Sequence, residues 1–185
     1  MAAYLVLLVL IALERLLELA RSRRNAAWAF ARGGIEVGRG HFRFMTVLHT
    51  LFLPACALEV WLLDRQFVLA LGLPMLGLVL LAQGLRWWAV ATLGRRWNVR
   101  TIVVPGLPVV RRGPYRFVRH PNYVAVILEG IAVPLVHGAW LSAAGFTLLN
   151  LPLLAIRVRC EEEALAEHSD YARLEDVPRF VPRPW

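Results

Sequence analysis

Apolar residues in this chain come in long runs, not in the short alternations or one-sided stripes of a water-soluble fold. A membrane-crossing helix needs about 20 mostly apolar residues. The runs of about 2–20, 44–63 and 67–93 meet that need, and Tyr123 to Val158 is long enough for two helices, 123–137 and 139–158, joined near His137 and Gly138. The first run is expected to stay in the mature protein, because Glu14, Arg15 and Glu18 follow its apolar part and no small-residue cleavage site appears. The pattern predicts an all-α, polytopic membrane protein with five transmembrane helices. Polar sequence punctuated by Gly and Pro is concentrated in two places, 94–122 and the tail from Arg159, so water-accessible chemistry is expected between them. No repeat or low-complexity linker divides the chain, and residues 1–185 read as a single integral membrane domain.

Composition reinforces this reading. The chain is 58% hydrophobic and 18% charged, against about half and about a quarter in soluble domains. That apolar excess is more than one water-facing core of this size can hide. The net charge of +8 comes from 21 basic residues, all arginine, set in blocks between the apolar runs. Such blocks do not make a continuous basic surface, which argues against nucleic-acid binding. They do set orientation. Arg21 to Arg43 fill the first connection and Arg95 to Arg119 the third, while the second carries only Arg65 and the fourth none. By the positive-inside rule the two Arg-rich loops and the tail are cytoplasmic, which five spans allow only with the N-terminus outside. Cys56 and Cys160 form neither a disulfide framework nor a metal motif, and no metal site is expected.

Charged groups at membrane depth face protein or water. Glu129 lies about 9 Å into the fourth span and should pair with another helix, Arg86 being the candidate. Glu59 is expected near the outer end, solvated. His49 and Asn150 read as interhelical hydrogen-bonders, and Trp87-Trp88 as part of an interfacial aromatic belt.

The strongest local pattern is Gly113-Pro-Tyr115-Arg-Phe-Val-Arg119-His120-Pro121-Asn122-Tyr123, followed by Arg157-Val-Arg159-Cys-Glu161-Glu162-Glu163-Ala-Leu165. Pro121 drives His120 out of the helical region and suits a first helical turn, so His120 or Asn122 should cap the fourth span. The exposed N–H groups there could hold an anion. Arg157 and Glu161, four apart, share a helix face; they either pair with each other or are displayed together to a ligand.

These two segments, with the tail Val177-Pro-Arg-Phe-Val-Pro182, resemble the isoprenylcysteine carboxyl methyltransferase family of integral membrane enzymes. The resemblance covers about Arg95 to Pro182. In the N-terminal half, Glu14-Arg-Leu-Leu-Glu18-Leu, Gly34-Ile-Glu36-Val-Gly38, Leu48-His49-Thr50 and Leu93-Gly-Arg-Arg-Trp97-Asn98 are similar to the small bacterial members that O-methylate alkylpyrones or alkylresorcinols. The resemblance implies S-adenosylmethionine as cofactor, held by the cytoplasmic C-terminal segments, and a lipophilic small-molecule substrate entering from the membrane lipid. It implies a bacterial plasma-membrane location with the active site facing the cytoplasm. Tyr115, His120, Pro121, Asn122 and Tyr123 match the cofactor-binding segment, Leu107, Val109 and Val110 would cover the adenine, and Glu161 with Glu162 supplies acid groups for the cofactor. Arg157 matches the position that orients the acceptor. Glu14, Glu18, Glu36 and His49 become candidates for a substrate cavity. Between Leu165 and Tyr171 the family's usual aromatic-glycine pair is replaced by Glu167, His168, Ser169 and Asp170.

The implied reaction is in-line methyl transfer to an acceptor oxygen. A carboxylate or acidic enol arrives as an anion, whereas a phenol, with a pKa near 10 like that of Tyr, needs a proton acceptor. Candidates for that group are His120, Glu129 and His49. Two competing readings are a non-catalytic membrane subunit or transporter, and a membrane reductase in which Arg111-Arg112 would meet the 2′-phosphate of a nicotinamide cofactor.

Overall fold

The computed structural model describes residues Met1 to Pro182. Five α-helices run in the order α1 (Ala2–Phe30), α2 (Arg39–Leu62), α3 (Leu69–Leu93), α4 (Pro121–Leu135) and α5 (Trp140–His168). Two short strands, β1 (Ile35–Val37) and β2 (Thr101–Val103), pair antiparallel with Glu36 opposite Ile102. The molecule is thus predominantly helical, and the all-α expectation omits one small ribbon. That ribbon ties the two Arg-rich connections together at one end of the bundle, where alternation of Ile, Val and Thr suits a strand.

Three helices, α2, α3 with its following turn, and α5, are long and apolar enough to cross a membrane. The first helix is longer than its apolar run, continuing to Phe30, and carries Glu14, Arg15 and Glu18 within it. With 15 residues, α4 is about 22 Å long, shorter than the hydrocarbon core of about 30 Å. Leu16, Leu17, Phe44, Trp61, Leu80, Leu81, Leu148 and Leu149 are among the many large apolar side chains on the outside of the bundle. Exposed apolar surface on this scale is a lipid-facing girdle.

A core of Tyr4, Leu8, Cys56, Val60, Val79, Val133 and Val136 joins the first four helices. The Tyr4 hydroxyl donates to the Val133 carbonyl at 3.2 Å. Against α5, Gly130 matters for its missing side chain: a Cβ there would lie 2.5 Å from the Phe146 ring.

Charged groups between the helices lie beside opposite charges, although Arg15 Nε and Glu129 Oε1 make no hydrogen bond among the described residues. Arg86 grips Glu18 with two hydrogen bonds, at 2.8 and 2.7 Å. Its Nη1 is 3.9 Å from Glu129, which also lies 3.7 Å from Arg15. Arg15 in turn reaches Glu14 at 3.0 Å, and Glu14 accepts from Gln83 and Trp87. His49 Nε2 meets Asn150 Oδ1 at 3.1 Å, joining α2 to α5. Glu59 departs from expectation. It is buried, and its carboxylate accepts from the Leu141 and Ser142 amides at 3.1 and 2.7 Å and from Arg65 at 3.1 Å. The first turn of α5 leaves N–H groups without helical partners, and Glu59 satisfies them from the neighbouring helix.

Candidate functional site

The end of the bundle bearing the ribbon encloses a cavity walled by the 93–110 segment, the start of α4, the last turns of α5 and the 3₁₀ turn Tyr171–Leu174. Pro121 begins α4 and His120 is its cap, with φ −125° and ψ 56° outside the helical region. That turn places His120, Asn122 and Tyr123 in the wall. From α5, Arg157 and Glu161 reach the same space, one turn apart.

Arg157 and Glu161 are joined through Tyr123. Arg157 Nε donates to the Tyr123 hydroxyl at 2.8 Å, and that hydroxyl donates to Glu161 Oε2. The guanidinium also donates to the Val99 carbonyl at 2.6 Å and points Nη1 at Met45 Sδ, 3.8 Å away. Arg157 is buried, so its direction is fixed by three elements at once. Neither expected arrangement of the pair, direct salt bridge or simple joint display, describes this relay.

The wall around the relay is tied down from outside. Val109 N donates to Asp170 Oδ1 at 2.6 Å and Gly106 N to the His168 carbonyl at 3.0 Å. His168 and Asp170 therefore close the segment onto the 106–110 loop. Asn25 of α1 donates to the Trp97 carbonyl at 2.6 Å, and Arg119 N and His120 N donate to Pro178 and Arg179 carbonyls. Glu162 forms the outer clamp, accepting from Arg179 at 2.6 Å, with Arg119 at 3.4 Å and His120 Nε2 at 3.0 Å. An ionised carboxylate only accepts, so His120 Nε2 donates to Glu162, and in the neutral ring Nδ1 keeps its lone pair. Burial pushes the Tyr115 and Tyr171 phenols up, with the charge of Glu161 adding at Tyr115 and the Glu162 carboxylate adding at Tyr171. Both stay neutral donors.

Of the residues expected from sequence, Leu107, Val109, Val110, Tyr115, His120, Asn122, Tyr123, Arg157 and Glu161 line this cavity. Pro121 and Glu162 stand behind the wall and shape it. Glu129 is elsewhere, in the polar cluster of α1, α3 and α4. Sequence reasoning missed Trp97, Asn98 and Thr101, which also line the cavity; Trp97-Asn98 had been quoted only for its resemblance. Thr101 Oγ1, Asn122 Oδ1, Trp97 Nε1 and Asn98 Nδ2 are buried and have no hydrogen-bond partner among the described residues. Buried polar atoms are normally paired. Four unpaired ones line this one cavity and are free to meet the polar atoms of a ligand.

The isoprenylcysteine carboxyl methyltransferase (ICMT) family model matches residues 75–167, the segment that builds both α4 and the relay. The chain belongs to this family. Its family makes it a membrane methyltransferase, and methyltransferases of the family use S-adenosylmethionine. Among relatives, "Uncharacterized protein YpbQ" of Bacillus subtilis (strain 168) is 36% identical over 163 residues, 88% of this chain and 96% of the relative. An "Uncharacterized protein" of Haemophilus influenzae is 26% identical over 155 residues, covering 82% of this chain and 88% of its own.

Proposed function

We propose that this ICMT-family protein transfers a methyl group from S-adenosylmethionine to an oxygen of a lipophilic acceptor drawn from the bilayer, of the alkylpyrone, alkylresorcinol or prenylcysteine kind. The observation that carries the reading is the Arg157–Tyr123–Glu161 relay set in a wall of unpaired buried polar atoms. We place it in a bacterial plasma membrane as a single five-span domain with the N-terminus outside and the cavity facing the cytoplasm. The Arg-rich first and third connections support that orientation.

The residues present fit the cofactor. Glu161 gives Oε2 to Tyr123 and keeps Oε1 for an ammonium group. Leu107, Val109 and Val110 offer an apolar cover for a purine ring, and Asn122, Thr101 and Trp97 offer the polar contacts. The bound cofactor supplies an electrophilic methyl group on a sulfonium. Arg157, held by Tyr123, Val99 and Met45, orients an anionic acceptor oxygen, and the closed cavity keeps water from competing.

Purified protein incubated with methyl-labelled S-adenosylmethionine and a panel of alkylpyrone, alkylresorcinol, prenylcysteine and a short thiol tests this. Label is expected in one of the lipophilic acceptors. No labelled lipid, together with no calorimetric binding of the cofactor, overturns it.

A further inference from the structure

A second, more open cleft adjoins the cavity at the same end of the bundle. Thr92 and Arg96, at the end of α3, line it together with Pro108, Arg111 and Arg112 from the loop that faces them. Val109 and Val110 border both spaces. Three arginines and no acid therefore line the cleft. Arg111 is compensated by Asp176 and donates to the Arg173 carbonyl at 2.8 Å. Arg96 donates to the Pro108 carbonyl at 2.5 Å, a neutral partner that fixes the side chain and leaves its charge unmatched. Arg112 is exposed and forms no ion pair among the described residues. Two positive charges in the cleft thus have no counterion.

The loop that carries Arg111 and Arg112 is pressed onto α3. Gly113 has φ +57°, and a Cβ there would lie 2.5 Å from Thr92 Oγ1 and 3.1 Å from Trp88 Nε1. Glycine both takes this left-handed conformation readily and allows the close approach. The 3₁₀ turn Gly113–Arg116 that follows adds to the contact, with Phe117 edge-on to Trp88 at 6.4 Å and the Arg116 guanidinium 4.4 Å over the Phe117 ring.

From Thr92 the cleft leads onto lipid-facing surface. Leu81, Gly84, Trp88 and Thr92 recur at steps of three or four and so share one face of α3, a helix long and apolar enough to cross a membrane. Leu81 and Trp88 are exposed, and beside Gly84 there is open space. Tryptophan at the end of a span sits at headgroup level. A ligand that matches the whole feature carries an anion at one end and hydrocarbon at the other. A soluble anion meets only the arginines, and an uncharged lipid meets only the helix face.

We propose that this cleft binds a single anionic phospholipid. Its phosphodiester lies between Arg96 and Arg112, where guanidinium N–H groups make charge-assisted hydrogen bonds to phosphate oxygens, and one acyl chain follows Leu81, Gly84 and Trp88 along α3. Basic pockets at the ends of spans hold acidic headgroups in this way. The site does not depend on methyl transfer. It also differs from the general attraction of arginine blocks to an acidic membrane, because Arg23 and Arg24 are exposed as well but line neither space.

The test titrates the full chain, purified in a nonionic detergent, with dioleoylphosphatidylglycerol or dioleoylphosphatidylcholine and counts bound lipid by native mass spectrometry. One phosphatidylglycerol should be retained per chain in preference to phosphatidylcholine. Arg112→Gln should weaken it about 5-fold and Arg112→Glu about 25-fold, the effect of one and two unit charges near an acidic headgroup. Without lipid both variants should unfold at the wild-type temperature, and added phosphatidylglycerol should raise that temperature for the wild type more than for Arg112→Glu. The Arg23→Gln/Arg24→Gln double variant should bind the lipid like the wild type, and glycerol 3-phosphate at the lipid's concentration should not displace it. Equal retention of the two lipids, or wild-type affinity in Arg112→Glu, overturns the proposal. An equal loss in the Arg23/Arg24 variant replaces the site with diffuse surface attraction, and displacement by glycerol 3-phosphate replaces the lipid with a free phosphate; either result overturns it too.

Discussion

Two buried polar regions of this protein have similar residues and opposite bookkeeping. Between α1, α3 and α4, Glu14, Arg15, Glu18, Arg86 and Glu129 each have an opposite charge within 4 Å. Around the cavity, Arg157 spends its donors on a phenol, a carbonyl and a thioether, and four other polar atoms have no partner at all. Charges that neutralise one another inside a membrane protein hold helices together. At the cavity, by contrast, Arg157 forms no salt bridge among the described residues, and Glu161 is reached only through the Tyr123 hydroxyl. What separates the two regions is therefore not a buried charge alone but whether an opposite charge lies directly beside it.

Breaking the first region should cost the most. Arg86→Ala leaves Glu14, Glu18 and Glu129 to Arg15 alone, and breaking a buried ion pair costs about 3–5 kcal/mol. Thermal unfolding in detergent should show a large loss of stability, while the molecules that remain folded bind S-adenosylmethionine as before. A stable variant with weakened cofactor binding would erase the distinction between the two regions.

In the second region the expected effect falls on chemistry. Arg157→Ala should lower turnover by about 100- to 1000-fold, the range seen when a positioned transition-state donor is removed, with cofactor affinity retained in calorimetry. Unchanged turnover would remove Arg157 from the mechanism. Glu161→Gln should act a step earlier and more weakly. It exchanges a charge-assisted contact for a neutral one, a loss of about 1.5–3 kcal/mol, so the cofactor should bind about 10- to 100-fold more weakly. An affinity unaltered by that change would place the ammonium contact elsewhere.

Much of this was legible along the chain. The apolar runs overlap α2 to α5, although α5 continues well past its run to His168, and Pro121 set the start of α4 as its fixed φ requires. The pairing of Glu129 with Arg86, and of His49 and Asn150 across helices, also followed from the rule that intramembrane polar groups seek one another. Glu59 did not. Its position near a helix end read as solvated, but its partner is the open first turn of α5, more than 80 residues away, and no local pattern reports that contact. Trp97 and Thr101 carry no motif that points to a ligand; only their unpaired atoms do.

By itself the sequence determined the medium, the helices and the segments that wall the candidate cavity, because hydrophobic length and proline geometry act over short stretches of chain. Only the tertiary structure decided which polar groups are satisfied. It sent Glu162 to the back of the wall, interposed Tyr123 between Arg157 and Glu161, and left Thr101 Oγ1 and Asn122 Oδ1 without a partner among the described residues. A hydrogen bond depends on distances of a few ångströms between residues far apart in the chain, and those distances exist only once the helices have packed.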